Sequence, residues 1–567
     1  MKAGRWKFLL PIVLVSFVYI GYVVYPLLIT LSTSFQVDGR FSFANYAGLF
    51  SGDNTANLEA MWNSILVSIF SVICSGVLGV FFAFVFTQCE IPFRSVVSRL
   101  AVLPIALPPL VGVISFLFVF GESGILPRVV HSVSGIPASY LALDGIAAIV
   151  AVHTYSFYVY FYLFVSTAFQ KLDASQLEAA QTFGSPFWRT LRVIIMPELK
   201  PSLVGASILT FMSSMASFSA PLLFASDRRF LTLQIYNAKL NGELNVAAAT
   251  SVVLAVISIF FFIGLRAANP PLAAQKRKGT SRAGILSLST RAQRILSAVA
   301  LLILFIELLP ILAMILIAFA KEGSWTWQVL PTEFTIENYA KLFSDPQVFE
   351  PMVNSILMAA ATMVAAVAIG VTFAYVATKG ALSRSQSLAV DLVSTLPFAI
   401  PGTVVAVGLI LAFNSPTIFT GNSVLVGTFW ILPLAYAVRT FPFVVRSTSA
   451  SLQQVDDSLS EAGMTFGAGA WRRFRRITLP MIKPGIVSGA LLVVITALGE
   501  FVSSILLYSY SNRPIAVEIL AQMRAYNFGS AAAYAVLLLV LIMILSFVSN
   551  MIASRGIVKD ASVQQWG

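Results

Sequence analysis

Ionisable residues inside apolar runs are the first candidates for chemistry in this sequence, and they are few. Glu500 stands in ALGEFVSSILLYSY and Glu307 in LFIELLPIL. A carboxylate at mid-bilayer costs roughly 2.5–3.5 kcal/mol on insertion scales, so each is expected to face protein or water. Little else assembles a reactive group. His131 and His153 are far apart and lack metal-ligand spacing. Two cysteines, Cys74 and Cys89, are too few for a disulfide framework. No His/Asp/Glu cluster or nucleophile motif is present. No G-x-x-x-x-G-K-[ST] loop is there to cradle phosphates. No catalytic residue, metal site or cofactor is therefore expected.

What the sequence does carry is a polar, basic segment written twice. Residues 178–201 read EAAQTFGSPFWRTLRVIIMPELKP, and residues 461–484 read EAGMTFGAGAWRRFRRITLPMIKP. The first copy predicts helix–turn–helix. Asp173 or Ser175 is a good N-cap, Gly184 suits the left-handed position that ends a helix, and Pro186 fits the first turn of a second helix stopping near Pro197. In the second copy Asp457 or Ser458 caps, Gly467 ends the first helix, and Trp471 to Leu479 forms the second. Ala179 and Phe183 fall one turn apart on one face, as do Ala462 and Phe466. A small residue beside a protruding aromatic suits entry into a groove on a partner. Arg472, Arg473, Arg475 and Arg476 suit lipid headgroups.

The elements that position these loops are membrane helices. The chain has 567 residues, 58% hydrophobic and 11% charged, with a mean hydropathy of +0.87. A soluble protein carries roughly a quarter charged residues. The apolar blocks are long enough to cross a bilayer as helices. Six are expected in each half: 8–33, 61–88, 100–121, 142–170, 201–226 and 244–266, then 295–320, 351–378, 387–413, 423–448, 485–509 and 531–554. The first is read as a retained span, since no A-x-A-like cleavage site follows it. Residues 267–294, rich in Pro, Ala and Lys/Arg, read as a cytoplasmic linker between domains 1–266 and 295–567. The net charge of +12 raises nucleic acid as a partner. Its placement rejects that: with the N-terminus inside, 27 of the 36 Lys and Arg fall on the inner side. Both termini are then cytoplasmic.

The duplication extends beyond the loop. FSFANYAGLF at 41–50 matches FTIENYAKLF at 334–343, NSIL at 63–66 recurs at 354–357, and LPIALPP at 103–109 matches LPFAIPG at 396–402. Order is kept and the offset stays between 283 and 293, as duplication of a six-span unit requires. Six is even, so the repeats run parallel, related by an axis along the membrane normal, with a pathway between them. Glu500 aligns with Ser217 at the loop's offset. Two readings of Glu500 stand: it lines the pathway or its gate and favours a cationic or metal-bearing cargo, or it makes a structural hydrogen bond to a neighbouring helix.

The pattern E-A-A-x(3)-G-x(9)-I-x-L-P resembles the signature loop of binding-protein-dependent ABC importer permeases. The matching residues are Glu178, Ala179, Ala180 and Gly184 in copy one, and Glu461, Ala462, Gly463 and Gly467 in copy two. Gly463 and Met196 depart from the pattern, and Gly463 is expected to weaken its helix by about 1 kcal/mol relative to Ala. The resemblance spans essentially the whole chain and is nearest to fused permeases for ferric iron, thiamine or aminoethylphosphonate. It implies an all-α polytopic membrane protein with about 12 transmembrane helices in two parallel six-helix repeats, the type I ABC importer permease fold. It implies a bacterial inner-membrane location, coupling helices that bear Phe183 and Phe466 and dock on two copies of an ABC ATPase, and a periplasmic substrate-binding protein. Span five of each half would line the pathway, with Ser217 and Glu500 on it; span seven is peripheral in such folds, so Glu307 is read as structural. Ferric iron is the expected cargo, with thiamine, aminoethylphosphonate and polyamines as alternatives. A secondary transporter of the major-facilitator kind is the alternative class; it needs no ATPase and no paired loop.

Overall fold

A computed structural model describes residues 13, 16–51, 55–267, 289–379, 390, 393–394, 396–397 and 400–563. The described chain is helical apart from a short ribbon, β1 (Gln36–Val37) paired antiparallel with β2 (Arg40–Phe41), and one isolated bridge between Ala320 and Phe334. In chain order the helices used below are α1 (Tyr25–Ser34), α2 (Thr55–Gln88), α3 (Pro109–Phe120), α4 (Gly145–Gln170), α5 (Ala174–Thr182), α6 (Met196–Met215), α7 (Ser219–Phe224) and α8 (Leu244–Ala267). They continue with α9 (Thr290–Ala318), α10 (Pro346–Lys379), α11 (Gly402–Phe413), α12 (Ile431–Gln453), α13 (Asp457–Thr465), α14 (Leu479–Leu498), α15 (Val502–Leu507) and α16 (Phe528–Val563).

Ten described helices are long and apolar enough to cross a membrane. The remaining two of the expected spans differ for readable reasons. The ninth is represented by the shorter α11, because Pro401 fixes an extended backbone immediately before it and most of residues 387–399 lie outside the described chain. The tenth, α12, is 23 residues long but contains Arg439, Arg446 and Pro442. Most of the segment read as a linker also lies outside the described residues. Its last residues begin α9, where Ser289 Oγ accepts a hydrogen bond from Ala292 N at 3.3 Å as an N-cap.

The chain packs as two compact units, and these do not follow the sequence halves. Unit 1 comprises residues 1–45, 238–252 and 335–567; unit 2 comprises residues 46–237 and 253–334. In unit 1, α1 lies against α11. The approach is close at Gly408, where a Cβ would come within 3.1 Å of Thr30 Oγ1 and 3.2 Å of the Pro26 carbonyl. Nearby, the Tyr22 hydroxyl donates to the Phe419 carbonyl at 2.5 Å. In unit 2, Ala300 and Leu304 of α9 join a core with Phe82, Phe86, Tyr158 and Phe169. Ser297 Oγ of the same helix donates to the Glu90 carbonyl at 3.4 Å. Each unit thus contains the first span of one half among later spans of the other.

The same helix crossing organises both units. Span two meets span four through a glycine, so the backbones touch. A Cβ on Gly79 would press on the Tyr158 carbonyl and lie 2.5 Å from Phe161 Cβ; one on Gly370 would lie 2.6 Å from Val444 Cβ and 3.2 Å from the Phe441 carbonyl. Small residues permit such close helix contact in membranes, where dispersion replaces the hydrophobic drive between helices. The paired positions keep the offsets of the duplication: 291 for the glycines and 283 for the residues they meet. Gly264, by contrast, faces open space. Replacing Gly79 or Gly370 with Leu is expected to destabilise the protein by about 1–3 kcal/mol or more through overpacking. Gly264→Leu should leave stability unchanged. Thermal unfolding of the purified variants in detergent checks the contrast.

Candidate functional site

The two copies of the repeated segment fold alike. Asp173 Oδ1 accepts from Ser175 N at 2.9 Å, and Asp456 Oδ1 accepts from Ser458 N at 2.9 Å, opening α5 and α13. The cap in the second copy is therefore Asp456, one residue before the expected Asp457; it is Asp456 that stands 283 residues after Asp173. Both helices end as expected. Gly184 and Gly467 take φ of +65° and +73°. Ser185 N donates to the Ala180 carbonyl and Ala468 N to the Gly463 carbonyl, each at 2.9 Å, the i→i−5 closure of a Schellman turn.

The first element holds one face down and leaves the other bare; the second is exposed or half-buried along its described length. Leu177 is buried in the core with Phe169, Leu172 and Leu199. Glu178, Ala179, Glu461 and Ala462 are exposed, and Ala180 and Gly463 half-buried. Phe183 is 87% exposed and Phe466 89%. Burying a phenylalanine gains about 1.5–3 kcal/mol over leaving it in water. Two rings are thus held out at equivalent positions of the repeat.

The copies differ in what braces the turn. Thr190 Oγ1 donates to Ser185 Oγ at 3.2 Å in the first. Arg473, which aligns with Thr190, donates through Nη1 to the Ala468 carbonyl at 3.1 Å in the second. The longer arginine needs room, and a Cβ on Gly463 would lie 3.2 Å from Arg473 Cδ and 3.0 Å from Ile477 Cδ1. Gly463 is thus a packing requirement of the second elbow, and Arg473 is committed to the turn rather than to lipid headgroups.

The second helix of each elbow does not stop at the proline. Phe187–Thr190 continues through one π-helical turn, Leu191–Ile195, directly into α6; Ala470–Arg473 continues through Phe474–Thr478 into α14. The wider turn, closed by Met196 N to the Leu191 carbonyl and Leu479 N to the Phe474 carbonyl, lets the chain pass Pro197 and Pro480 without breaking. The second helix of each elbow and the fifth span are one rod, 28 residues long in the first half and 29 in the second.

Both rods break at the same place. α6 ends at Met215 and α7 starts at Ser219; α14 ends at Leu498 and α15 starts at Val502. Phe218 and Phe501 are buried at the breaks. Ser217 and Glu500 sit in them. The Ser217 carbonyl accepts from Thr232 Oγ1 at 2.9 Å. Glu500 bonds to a neighbouring helix: Oε2 lies 2.5 Å from Arg439 Nη1 of α12, with side-chain exposures of 9% and 25%. Its Oε1 accepts from Ser503 N at 3.0 Å, capping α15. Ser504 Oγ, which donates to the Glu500 carbonyl at 2.5 Å, is 2.6 Å from the Tyr436 hydroxyl. Gly402 provides the space, since a Cβ there would come within 2.7 Å of Arg439 Nη1. In the other half, Ser156 stands at the position of Arg439 and His153 at that of Tyr436. His153 Nδ1 lies 2.9 Å from Ser71 Oγ and 3.0 Å from Ser214 Oγ, a buried knot joining α2, α4 and α6. Sequence reasoning missed Arg439. Its signal was a lone arginine inside an apolar run, visible only once span ten is taken as buried. Arg513 is held by Glu518 at 2.8 Å, which ties it to its own unit.

Residues 75–273 and 366–557 each match the family described as binding-protein-dependent transport system inner membrane component. The chain belongs to this family. Each match contains one elbow with its rod and break, so the duplicated geometry is the family's own unit occurring twice. The permease is 25% identical, over 98% of its length and 97% of the relative's, to a Sinorhizobium fredii protein named "Probable ABC transporter permease protein y4fN". It is 25% identical, over 94% of its length and 76% of the relative's, to the ferric transport system permease protein FbpB of Actinobacillus pleuropneumoniae. Among solved structures, a bacterial ABC transporter involved in importing the acidic polysaccharide alginate matches with a TM-score of 0.38 at 19% identity, covering 47% of this chain and 96% of that one. Membership decides between the two transporter classes: this is a multi-pass inner-membrane permease subunit of an ABC importer.

The Arg439–Glu500 pair gives a direct test of the break. Removing one partner of a fully buried ion pair costs about 3–5 kcal/mol, an upper bound here because Arg439 is 25% exposed. Arg439→Ala is expected to lower thermal stability by that order, while Arg439→Ala combined with Glu500→Gln should recover most of it. Unfolding of the purified permease in a double-mutant cycle measures the coupling.

Proposed function

We propose that this chain is the fused permease subunit of an ATP-driven importer of ferric iron. The observation that carries the coupling part is the pair of exposed phenylalanines, Phe183 and Phe466, each on a capped helix closed by a left-handed glycine. Two such knobs on one chain suit two copies of an ABC ATPase. Each knob enters a groove on one copy, and Glu178, Ala179 and Ala180, with Glu461, Ala462 and Gly463, form the low face around it. ATP hydrolysis then belongs to the separate subunits. Nucleotide-driven closure of the ATPase dimer moves the elbows, and the continuous rods carry that motion to the breaks at Ser217 and Glu500, the proposed pathway positions. The drive is differential affinity of the ATPase for the two conformations. The elbows, both termini and the linker lie on the cytoplasmic side, and a periplasmic binding protein delivers cargo to the outer face.

Iron is supported by relatives named as ferric permeases, which the chain matches over 89% and 94% of its length. The carboxylate of Glu500 adds less than it did on sequence alone, because Arg439 compensates its charge. Cargo selection then rests chiefly on the binding protein. Relatives named for 2-aminoethylphosphonate or for spermidine and putrescine match over 40% and 38% of the chain, and those cargoes are the second reading.

Phe183→Ala with Phe466→Ala should abolish co-purification of the ATPase and stop uptake of radioactive ferric iron, while the permease inserts and unfolds as wild type. Gly184→Val and Gly467→Val, which force about 1–2 kcal/mol of left-handed strain, should weaken ATPase attachment in the same assay. Retained attachment would remove the coupling assignment. Iron-independent growth with aminoethylphosphonate uptake intact would replace the cargo.

A further inference from the structure

Unit 2 contains a cavity of about 800 Å³ between α2, α3, α4 and α9, within the roughly 300–1,000 Å³ of small-molecule sites. Phe70, Phe116, Phe120 and Tyr155 form much of its wall, and Glu307 of α9 and Cys74 of α2 also line it. Phe70 and Ile306, two of its lining residues, are exposed on helices long and apolar enough to cross a membrane. Glu307 Oε2 is fully buried and has no hydrogen-bond partner.

Unit 1 contains the same crevice in the repeat's register, and it serves as an internal comparison. Its cavity is about 390 Å³. Ala361 replaces Phe70 and Ala365 replaces Cys74, each at an offset of 291, and Val438 replaces Tyr155 at 283. Aligning Pro26 with Pro310 puts Val23, which lines this cavity, opposite Glu307. The unit 1 crevice therefore carries no carboxylate. General packing of the repeat accounts for a crevice in both units. It does not account for an acid placed in the larger one alone.

We propose that the unit 2 cavity is a binding site for an alkylammonium amphiphile that enters from the membrane. Its ammonium group pairs with Glu307 beside the touching rings of Phe116 and Tyr155, whose centroids are 6.0 Å apart, and its alkyl chain runs along the apolar wall. Three requirements select this class. A buried carboxyl without a partner stays neutral; an ammonium head supplies both the donor and the charge that let it ionise, which a hydroxyl head cannot. Aromatic faces attract cations and are the usual companions of an acid in ammonium recognition. The remaining wall is hydrocarbon-like, and a ligand reaching it through the bilayer must be largely apolar. The site stands on its own, independent of which cargo the permease imports.

The test uses the full-length permease in phospholipid nanodiscs with dodecylamine carrying a mid-chain diazirine. Irradiation followed by peptide mass spectrometry should place adducts on the segments around Phe70–Cys74 and Ile146–Tyr155. Excess unlabelled dodecylamine should remove them. Labelling there should fall at least ten-fold in Glu307→Gln and at least ten-fold with the same probe bearing a hydroxyl head. The segments lining the unit 1 cavity should stay at background. Thermal unfolding of Glu307→Gln verifies that the variant is folded, and Phe116→Leu, which removes a ring and keeps the acid, should lower labelling several-fold. Equal labelling by the alcohol probe, equal labelling of Glu307→Gln, or equal labelling of both cavities would each overturn the proposal.

Discussion

Inside hydrocarbon a broken helix has no water to fall back on, and every freed backbone group needs a partner made of protein. This constraint explains most of what is unusual here. The fifth span of each half breaks at Ala216–Phe218 and Gly499–Phe501, and each break is furnished locally. A threonine hydroxyl serves the first, and a carboxylate, a serine and a tyrosine serve the second. The buried Phe218 and Phe501 plug the same point. A span of this kind is tolerated only where neighbouring helices supply those partners, which fixes the positions of α12 and the loop before Thr232.

The rods above the breaks follow from the opposite condition. Pro197 and Pro480 should end a helix, because proline lacks a donor and its ring meets the carbonyl four residues earlier. A single wide turn in each half relaxes that geometry, and the helix runs on from the exposed elbow into the membrane. Phe183 and Phe466 stand one glycine turn away from the start of this hydrogen-bonded cylinder, which runs from Phe187 and Ala470 to the breaks. The glycine crossings at Gly79 and Gly370 hold spans two and four as a rigid pair beside each rod.

Much of this was written in the residues. The repeated loop, its glycine turns and its exposed aromatic positions follow from local rules of capping and left-handed conformation, so Gly184, Gly467, Phe183 and Phe466 were legible. What failed was long-range. Arg439 and Glu500 are 61 residues apart, and nothing local to either announces the other. The grouping of the first span of one half with later spans of the other depends on packing at Gly408 and Ala300, which periodicity does not encode. The continuous rod was misread because the proline rule was applied without the compensating turn. The cap at Asp456 was misplaced because two aspartates stand side by side and only the register of the repeat chooses between them.

Two halves written separately in one polypeptide can differ at equivalent positions, and the Arg439–Glu500 pair makes this concrete. In a permease assembled from two identical chains, any substitution arrives in duplicate and must be tolerated on both sides at once. Here a guanidinium, its carboxylate and the bare Gly402 beneath them stand on one side alone, while the other has serines and a histidine. A duplicated frame thus has a left hand and a right.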